Sequence, residues 1–130
     1  MKAAGSYNST IIGFNAGATI GGVSNVAIGR NSMDALAGRS DNAATAGIRN
    51  IAIGHDSMGA VNPGTHNGAL ADDNIAIGYQ ALLGASFVDQ DKDLKNNIAI
   101  GNYALDATGT NAQNGAVAIG HYAGSGITSG

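Results

Sequence analysis

Asn50-Ile51-Ala52-Ile53-Gly54 decides the reading of this chain, because near-copies of it recur along its length. Ala-Ile-Gly occurs five times, ending at Gly29, Gly54, Gly78, Gly101 and Gly120, and Ile11-Ile12-Gly13 is a weaker sixth copy. The best copies start at Asn25, Asn50, Asn74 and Asn97. Successive glycines lie 16, 25, 24, 23 and 19 residues apart, a roughly constant unit with insertions. Repeats of this period point to stacked supersecondary units. Ten of the thirteen isoleucines fall inside the short segments, so bulky side chains are placed periodically instead of being spread through a general core.

Within each segment the period is two, as in a β-strand: Ile51 and Ile53 take one face, Asn50, Ala52 and Gly54 the other. A strand this short needs neighbours, and stacking the copies about 4.8 Å apart pairs every backbone group with the unit above and below. Ile28, Ile53, Ile77, Ile100 and Ile119 then form an aliphatic ladder, and Asn25, Asn50, Asn74 and Asn97 an amide ladder. Gly29, Gly54, Gly78, Gly101 and Gly120 suit sharp corners where φ is positive. Three residues further on stand only small side chains, Ala16, Ser32, Ser57, Ala81, Ala104 and Ala123, which implies a tight inner turn or a close neighbour. Met33, Met58, Leu82 and Leu105 follow and are expected to begin a second short strand. The intervening segments, rich in Gly, Asn, Asp and Thr, are expected to be turns and loops on one side.

Composition agrees with an unusual core. Of 130 residues 21 are glycine and 24 alanine, while Ile, Leu, Val and Phe together make up 20%. That is the edge at which apolar burial stops offsetting backbone entropy, yet 12% charged residues is too few for a disordered chain. The expected fold is all-β, a parallel β-solenoid of about six coils over residues 8–124. Residues 1–7 form an N-terminal segment, a candidate attachment point, and 125–130 a Gly/Ser-rich tail. Such a thin unit buries little by itself, so three chains packed together along a small-residue seam are expected.

A net charge of −3 with six scattered basic residues gives no footprint for nucleic acid. Without cysteine there are no disulfides, thiolate metal sites or thiol redox chemistry. No signal-peptide core follows Met1, and no apolar stretch is long enough for a membrane span, so neither standard export nor membrane insertion is expected.

Gly22-Val-Ser-Asn-Val-Ala-Ile-Gly-Arg-Asn-Ser32 resembles the head repeat of trimeric autotransporter adhesins. Asn74-Ile-Ala-Ile-Gly-Tyr-Gln-Ala-Leu82 and Asn97-Ile-Ala-Ile-Gly-Asn-Tyr-Ala-Leu105 look more like a longer variant in bacteriophage tail fibres and related virion proteins. The resemblance covers roughly residues 8–124 and implies a left-handed parallel β-roll that trimerises. The chain departs from the adhesin pattern in its longer spacings and in lacking an export signal, a heptad stalk and a membrane anchor. These departures favour the phage branch: a virion protein assembled in the host cytoplasm, in contact with itself and other virion proteins. Six coils span only about 24 Å, which suits a tip, adaptor, short spike or decoration better than a whole fibre.

The expected function is therefore non-enzymatic: a trimeric short fibre or spike component contributing to host attachment. The alternatives are a capsid decoration or adaptor of the same fold, or a fragment of an adhesin head at the bacterial cell surface. Attachment predicts exposed aromatic and polar residues clustered at one end; decoration predicts apolar patches matching a flat shell.

No cofactor, metal or catalytic residue is expected. There is no nucleophile elbow with triad partners, and the Gly-rich stretch 17–22 lacks the strand-then-helix context of a phosphate loop. A hexapeptide-repeat acyltransferase is the best enzymatic competitor and predicts a His-lined cleft between subunits, but the isoleucine spacing does not divide into hexapeptides; sparse threonine in the strands argues against an ice-binding solenoid. Asp89-x-Asp91-x-Asp93 could open a calcium loop, but Leu94 and Ile100 stand where an EF-hand needs Gly and Glu, so a solvated acidic tip is expected. His55 and His121, just after corner glycines, are expected to be exposed or stacked rather than metal-bound. Tyr79, Tyr103 and Tyr122 are expected to pack between coils, the alternative being contact with a sugar or protein. Loops should carry any recognition of a host glycan or protein. Candidate contacts there are Arg39, Asp41, Asn62, His66, Asn67, Phe87, Asp89, Gln90 and Lys92.

Overall fold

The computed structural model describes residues 8–36, 47–62, 70–84, 93–108 and 112–127. All regular structure among the described residues is β. Strands β1 (Thr10–Ile12), β2 (Val26–Ile28), β3 (Ile51–Ile53), β5 (Ile75–Ile77), β7 (Ile98–Ile100) and β9 (Val117–Ile119) form one parallel six-stranded sheet in that order. Three two-residue strands, β4 (Ala71–Asp72), β6 (Leu94–Lys95) and β8 (Gln113–Asn114), form a second parallel sheet. Register is strict: Ala27, Ala52, Ala76, Ala99 and Ala118 pair in sequence, and so do Ile28, Ile53, Ile77, Ile100 and Ile119.

The ladder explains why such short strands persist. Ile51 N–H donates to Asn74 O at 2.8 Å and Ile75 N–H to Asn97 O at 2.8 Å, while Gly78 N–H returns to Ile53 O at 2.8 Å. The turns stack in the same way, Met58 N–H donating to Ala81 O at 3.1 Å and Leu82 N–H to Ala104 O at 2.8 Å. Each repeat thus hands its backbone groups to its neighbours, and no strand stands alone.

The corner glycines have φ between +128° and +138°. A second constraint acts at the same atom. A Cβ on Gly78 would sit 2.6 Å from the Gly101 carbonyl, so the repeats could not close to sheet distance. Glycine is required by its neighbour as well as by its own dihedral.

The amide ladder forms as expected. Asn74 Nδ2 donates to Asn50 Oδ1 at 3.0 Å and to Leu94 O at 2.7 Å. Its own Oδ1 accepts Asn97 N–H at 3.1 Å and Asn97 Nδ2–H at 2.9 Å. Asn25, Asn50, Asn74 and Asn97 are fully buried, and the ladder spares them the penalty of an unpaired buried amide.

Two expectations are corrected. Met33, Met58, Leu82 and Leu105 do not begin a second strand; they occupy the left-handed region at φ +45° to +52°, inside the turn. That conformation costs a residue with a Cβ about 1–2 kcal/mol. The side chains are fully buried, worth about 1.5–3 kcal/mol each, which offsets the strain. The second set of strands lies later, β4, β6 and β8 ending two residues before Asn74, Asn97 and Ala116.

The second correction concerns the small-residue seam. Ala27, Ala52, Ala76 and Ala99 are fully buried and, with the turn methionines and leucines, make the core. Ser32 and Ser57 are buried beside them, each Oγ–H donating to the carbonyl of the next repeat's strand alanine at 2.9 Å. The isoleucines on either side of these alanines are only partly buried and point outward. The small-residue seam expected between chains is instead the interior of one chain, because only Ala lets the strand approach the turn closely.

Candidate interaction surfaces

Two outward columns of β-branched residues cover the six-stranded sheet. One runs Val26, Ile51, Ile75, Ile98, Val117 and the other Ile12, Ile28, Ile53, Ile77, Ile100, Ile119. Mutual stacking leaves the middle members half-buried, while Ile12, Val117 and Ile119 at the two ends are 58%, 66% and 67% exposed. Phe14, 71% exposed, extends the apolar surface past the first corner. Contiguous exposed apolar surface of this kind marks an interaction face. The sequence pattern names every residue of it but does not say that it faces outward.

Around the corner, the residues just after the glycines build a row of rings. His55 and Tyr79 have centroids 5.3 Å apart, and Tyr79 meets Tyr103 edge-on at 5.2 Å. Tyr103 stacks on Tyr122 at 4.7 Å with planes 4° apart, and His121 meets Tyr122 edge-on at 4.3 Å. The expected stacking of tyrosines and histidines is thus present, but the row is not an interior. His55, His121 and Tyr122 are exposed and Tyr79 and Tyr103 half-exposed. Partial burial raises the Tyr103 hydroxyl's pKa, with its tyrosine neighbours adding to the shift. His55 also lies 3.3 Å from the Asp56 carboxylate, which in turn accepts Asn31 Nδ2–H at 3.0 Å.

The opposite flank is polar. Arg49 grips Asp73 in a bidentate pair, both contacts 2.6 Å, and the guanidinium holds that carboxyl below its usual range. Asp72, 6% exposed, accepts Ile48 N–H at 3.0 Å, and burial pushes its carboxyl upward. Asp93, last of the Asp-x-Asp-x-Asp run, accepts Leu70 N–H at 3.2 Å and pairs with Lys95 at 2.8 Å. Its carboxylate supports the fold.

Of the loop contacts expected from the sequence, Asn62 is half-buried beside the core residue Val61. Arg39, Asp41, His66, Asn67, Phe87, Asp89, Gln90 and Lys92 lie outside the described residues. Among the described residues no group of His, Asp or Glu could hold a metal ion, and no helix is long and apolar enough to cross a membrane. The rings come from two adjacent positions of the repeat: His55, Tyr79 and His121 stand one residue after a corner glycine, Tyr103 and Tyr122 two. The sequence packs the tyrosines between coils but leaves open whether His55 and His121 join them, because that step of one residue hides the continuity of the row. Comparison with family models, curated proteins and solved structures finds no match to this chain.

Proposed function

We propose that the chain is a parallel β-solenoid, wound left-handed as its resemblance to adhesin and phage-fibre repeats implies, that works as a non-enzymatic homotrimeric component of a bacteriophage short fibre or spike. The observation that carries this reading is the outward double column of isoleucine and valine. An apolar sheet face repeated in register along the stack gives up its water only against a matching surface, and a second and third copy supply one. Host attachment is the role of the assembled unit, with other virion proteins as neighbours.

The rings run from His55 through the last four of six repeats, and the last repeat carries two exposed ones, His121 and Tyr122, which supports the attachment reading. The double column favours a second reading as well, since a regular apolar face also fits the flat shell that a decoration or adaptor protein would cover.

Light scattering at low concentration separates the two. A stable mass near three times 12.8 kDa is the expected result. Ile77→Asp, placing a charge in the middle of the face, should abolish the trimer while leaving a folded monomer. A wild-type monomer would overturn the independent trimer in favour of the decoration reading.

A further inference from the structure

The row of rings does something the apolar face does not. Its members brace one another along four repeats, so the surface is ordered before any partner arrives, and little entropy remains to be lost on binding. Tyr122 is 52% exposed although it stacks on Tyr103. The exposed amide of Asn102 lies in the same row, its Oδ1 accepting Tyr79 N–H at 2.9 Å. Asp56 and Gln80 stand one residue beyond His55 and Tyr79. Flat π-faces therefore alternate with amide, carboxylate, imidazole and phenol groups. Tyrosine and histidine, apolar in body and polar at the tip, suit a ligand that is itself apolar on one face and hydroxylated at its rim.

Alternative ligands fit the row less well. A polyanion would meet a chain of net charge −3 and the Asp56 carboxylate, with Arg30 the one cation at these positions among the described residues. A purely apolar partner would leave the phenols and amides beside it to be desolvated without compensation. A sugar ring matches both halves: its C–H face lies on an aromatic ring, and its hydroxyls meet the amide and phenol groups.

We infer that the row His55–Tyr79–Tyr103–Tyr122, with His121 and Asn102 beside it, is a binding platform for uncharged oligosaccharides built of hexose or N-acetylhexosamine units. The inference rests on the attachment reading and deepens it by naming the class of receptor. It also separates two surfaces by task, the isoleucine columns joining copies and the ring row facing the receptor.

The test uses the full chain. Saturation-transfer NMR and tyrosine fluorescence are followed as maltotetraose, cellotetraose and N,N′,N″-triacetylchitotriose are added in turn. At least one should bind with millimolar or tighter affinity. Tyr122→Ala, at the exposed end of the row, should weaken it at least tenfold without changing the far-ultraviolet spectrum. Tyr103→Phe, which keeps the ring and removes the hydroxyl, should weaken it less.

No binding to any of the three sugars overturns the platform. So does binding that Tyr122→Ala leaves intact. A change in oligomer mass caused by Tyr122→Ala would reassign the row to the interface between copies and overturn it too. The attachment reading fails separately. If sugar binding depends on the row but the protein does not adhere to any bacterial host, the platform stands and attachment falls. If adhesion survives Tyr122→Ala, the platform falls and attachment stands.

Discussion

The corner of a middle repeat and the corner of the last one use the same residue for different reasons. Gly78 has φ +134° and the carbonyl of Gly101 directly above it. Gly120 has φ +128°, but a Cβ there would find open space apart from a methyl 3.9 Å away. The turns show the same contrast. Met58 and Leu82 fill the core from left-handed positions, whereas the first and last repeats place Gly17 and Gly124 there. At those ends Ile11 lies beside the space over Gly17, and Leu105 and Ile127 beside that over Gly124. Every corner glycine from Gly13 to Gly101 is required by the backbone stacked on it, whereas Gly120, in the last repeat, answers only to its own dihedral.

Alanine at the two corners breaks that comparison most sharply. Gly78→Ala should cost about 4 kcal/mol or more, enough to unfold the chain, because backbone rather than a flexible side chain blocks the methyl. Gly120→Ala should cost only the dihedral strain, about 1–3 kcal/mol, and leave a cooperative urea transition. Equal losses at both sites would mean that φ, and not the stacked neighbour, sets the requirement.

The amide ladder comes next. Asn74→Ala removes the acceptor of two Asn97 donors and the donor to Leu94 O, leaving buried groups unpaired on both sides. A loss of about 3 kcal/mol is expected from the denaturation midpoint. The ladder's last step lacks an asparagine: Asn97 Oδ1 accepts Ala116 N–H at 2.9 Å. Ala116→Asn should therefore be far milder, since it strands no existing donor. A loss at Asn74 no larger than that at an exposed site would show that the ladder adds little.

The stack, its register and the amide ladder were legible because each follows from a period and from a backbone that must be paired. The inside of the sheet was not. Alternation in Ile51-Ala52-Ile53 fixes two faces without saying which is buried, and hydrophobicity alone suggests the isoleucines. The decisive signal was Asn50 on the alanine face, since a repeated amide beside small residues is best satisfied by its own copies in a dry interior. Met58 and Leu82 were misplaced because a bulky residue at positive φ runs against local preference, and only the core it fills explains it. The packing of Tyr79, Tyr103 and Tyr122 between coils was legible, but that His55 extends their row needed the register.

A buried mistake in the last repeat allows a gain of stability. Gln113 is fully buried in β8, and neither atom of its amide has a hydrogen-bond partner. Its partner in register is Leu94, also fully buried. Gln113→Leu exchanges an unsatisfied amide for a side chain matching the one beneath it, and should raise stability by about 1–2 kcal/mol. The urea midpoint should move upward when this unpaired amide is removed. A fall would mean that the amide is satisfied in solution, for instance by a trapped water.

The smallest effect lies along the same second sheet, where burial decreases towards the end: Asp72 is buried, Lys95 half-buried and Asn114 exposed. Burial raises the Asp72 carboxyl above its ordinary 3.8, although Ile48 N–H partly counters this. Between that ordinary value and the higher folded one, the folded chain holds the proton more tightly than the unfolded chain. Stability therefore increases as pH falls through the window and is lost as pH rises through it. Arg49–Asp73 acts oppositely, because a carboxyl held low loses its partner on protonation, but that pair is exposed and contributes little. As far as Asp72 contributes, the wild-type urea midpoint should thus be higher near pH 3.8, the foot of that window, than at pH 7. Asp72→Asn keeps an oxygen for Ile48 N–H and removes the titration, so the difference should shrink. If it persists unchanged, the pH response comes from elsewhere and Asp72 is no more constrained than the residues in register beyond it.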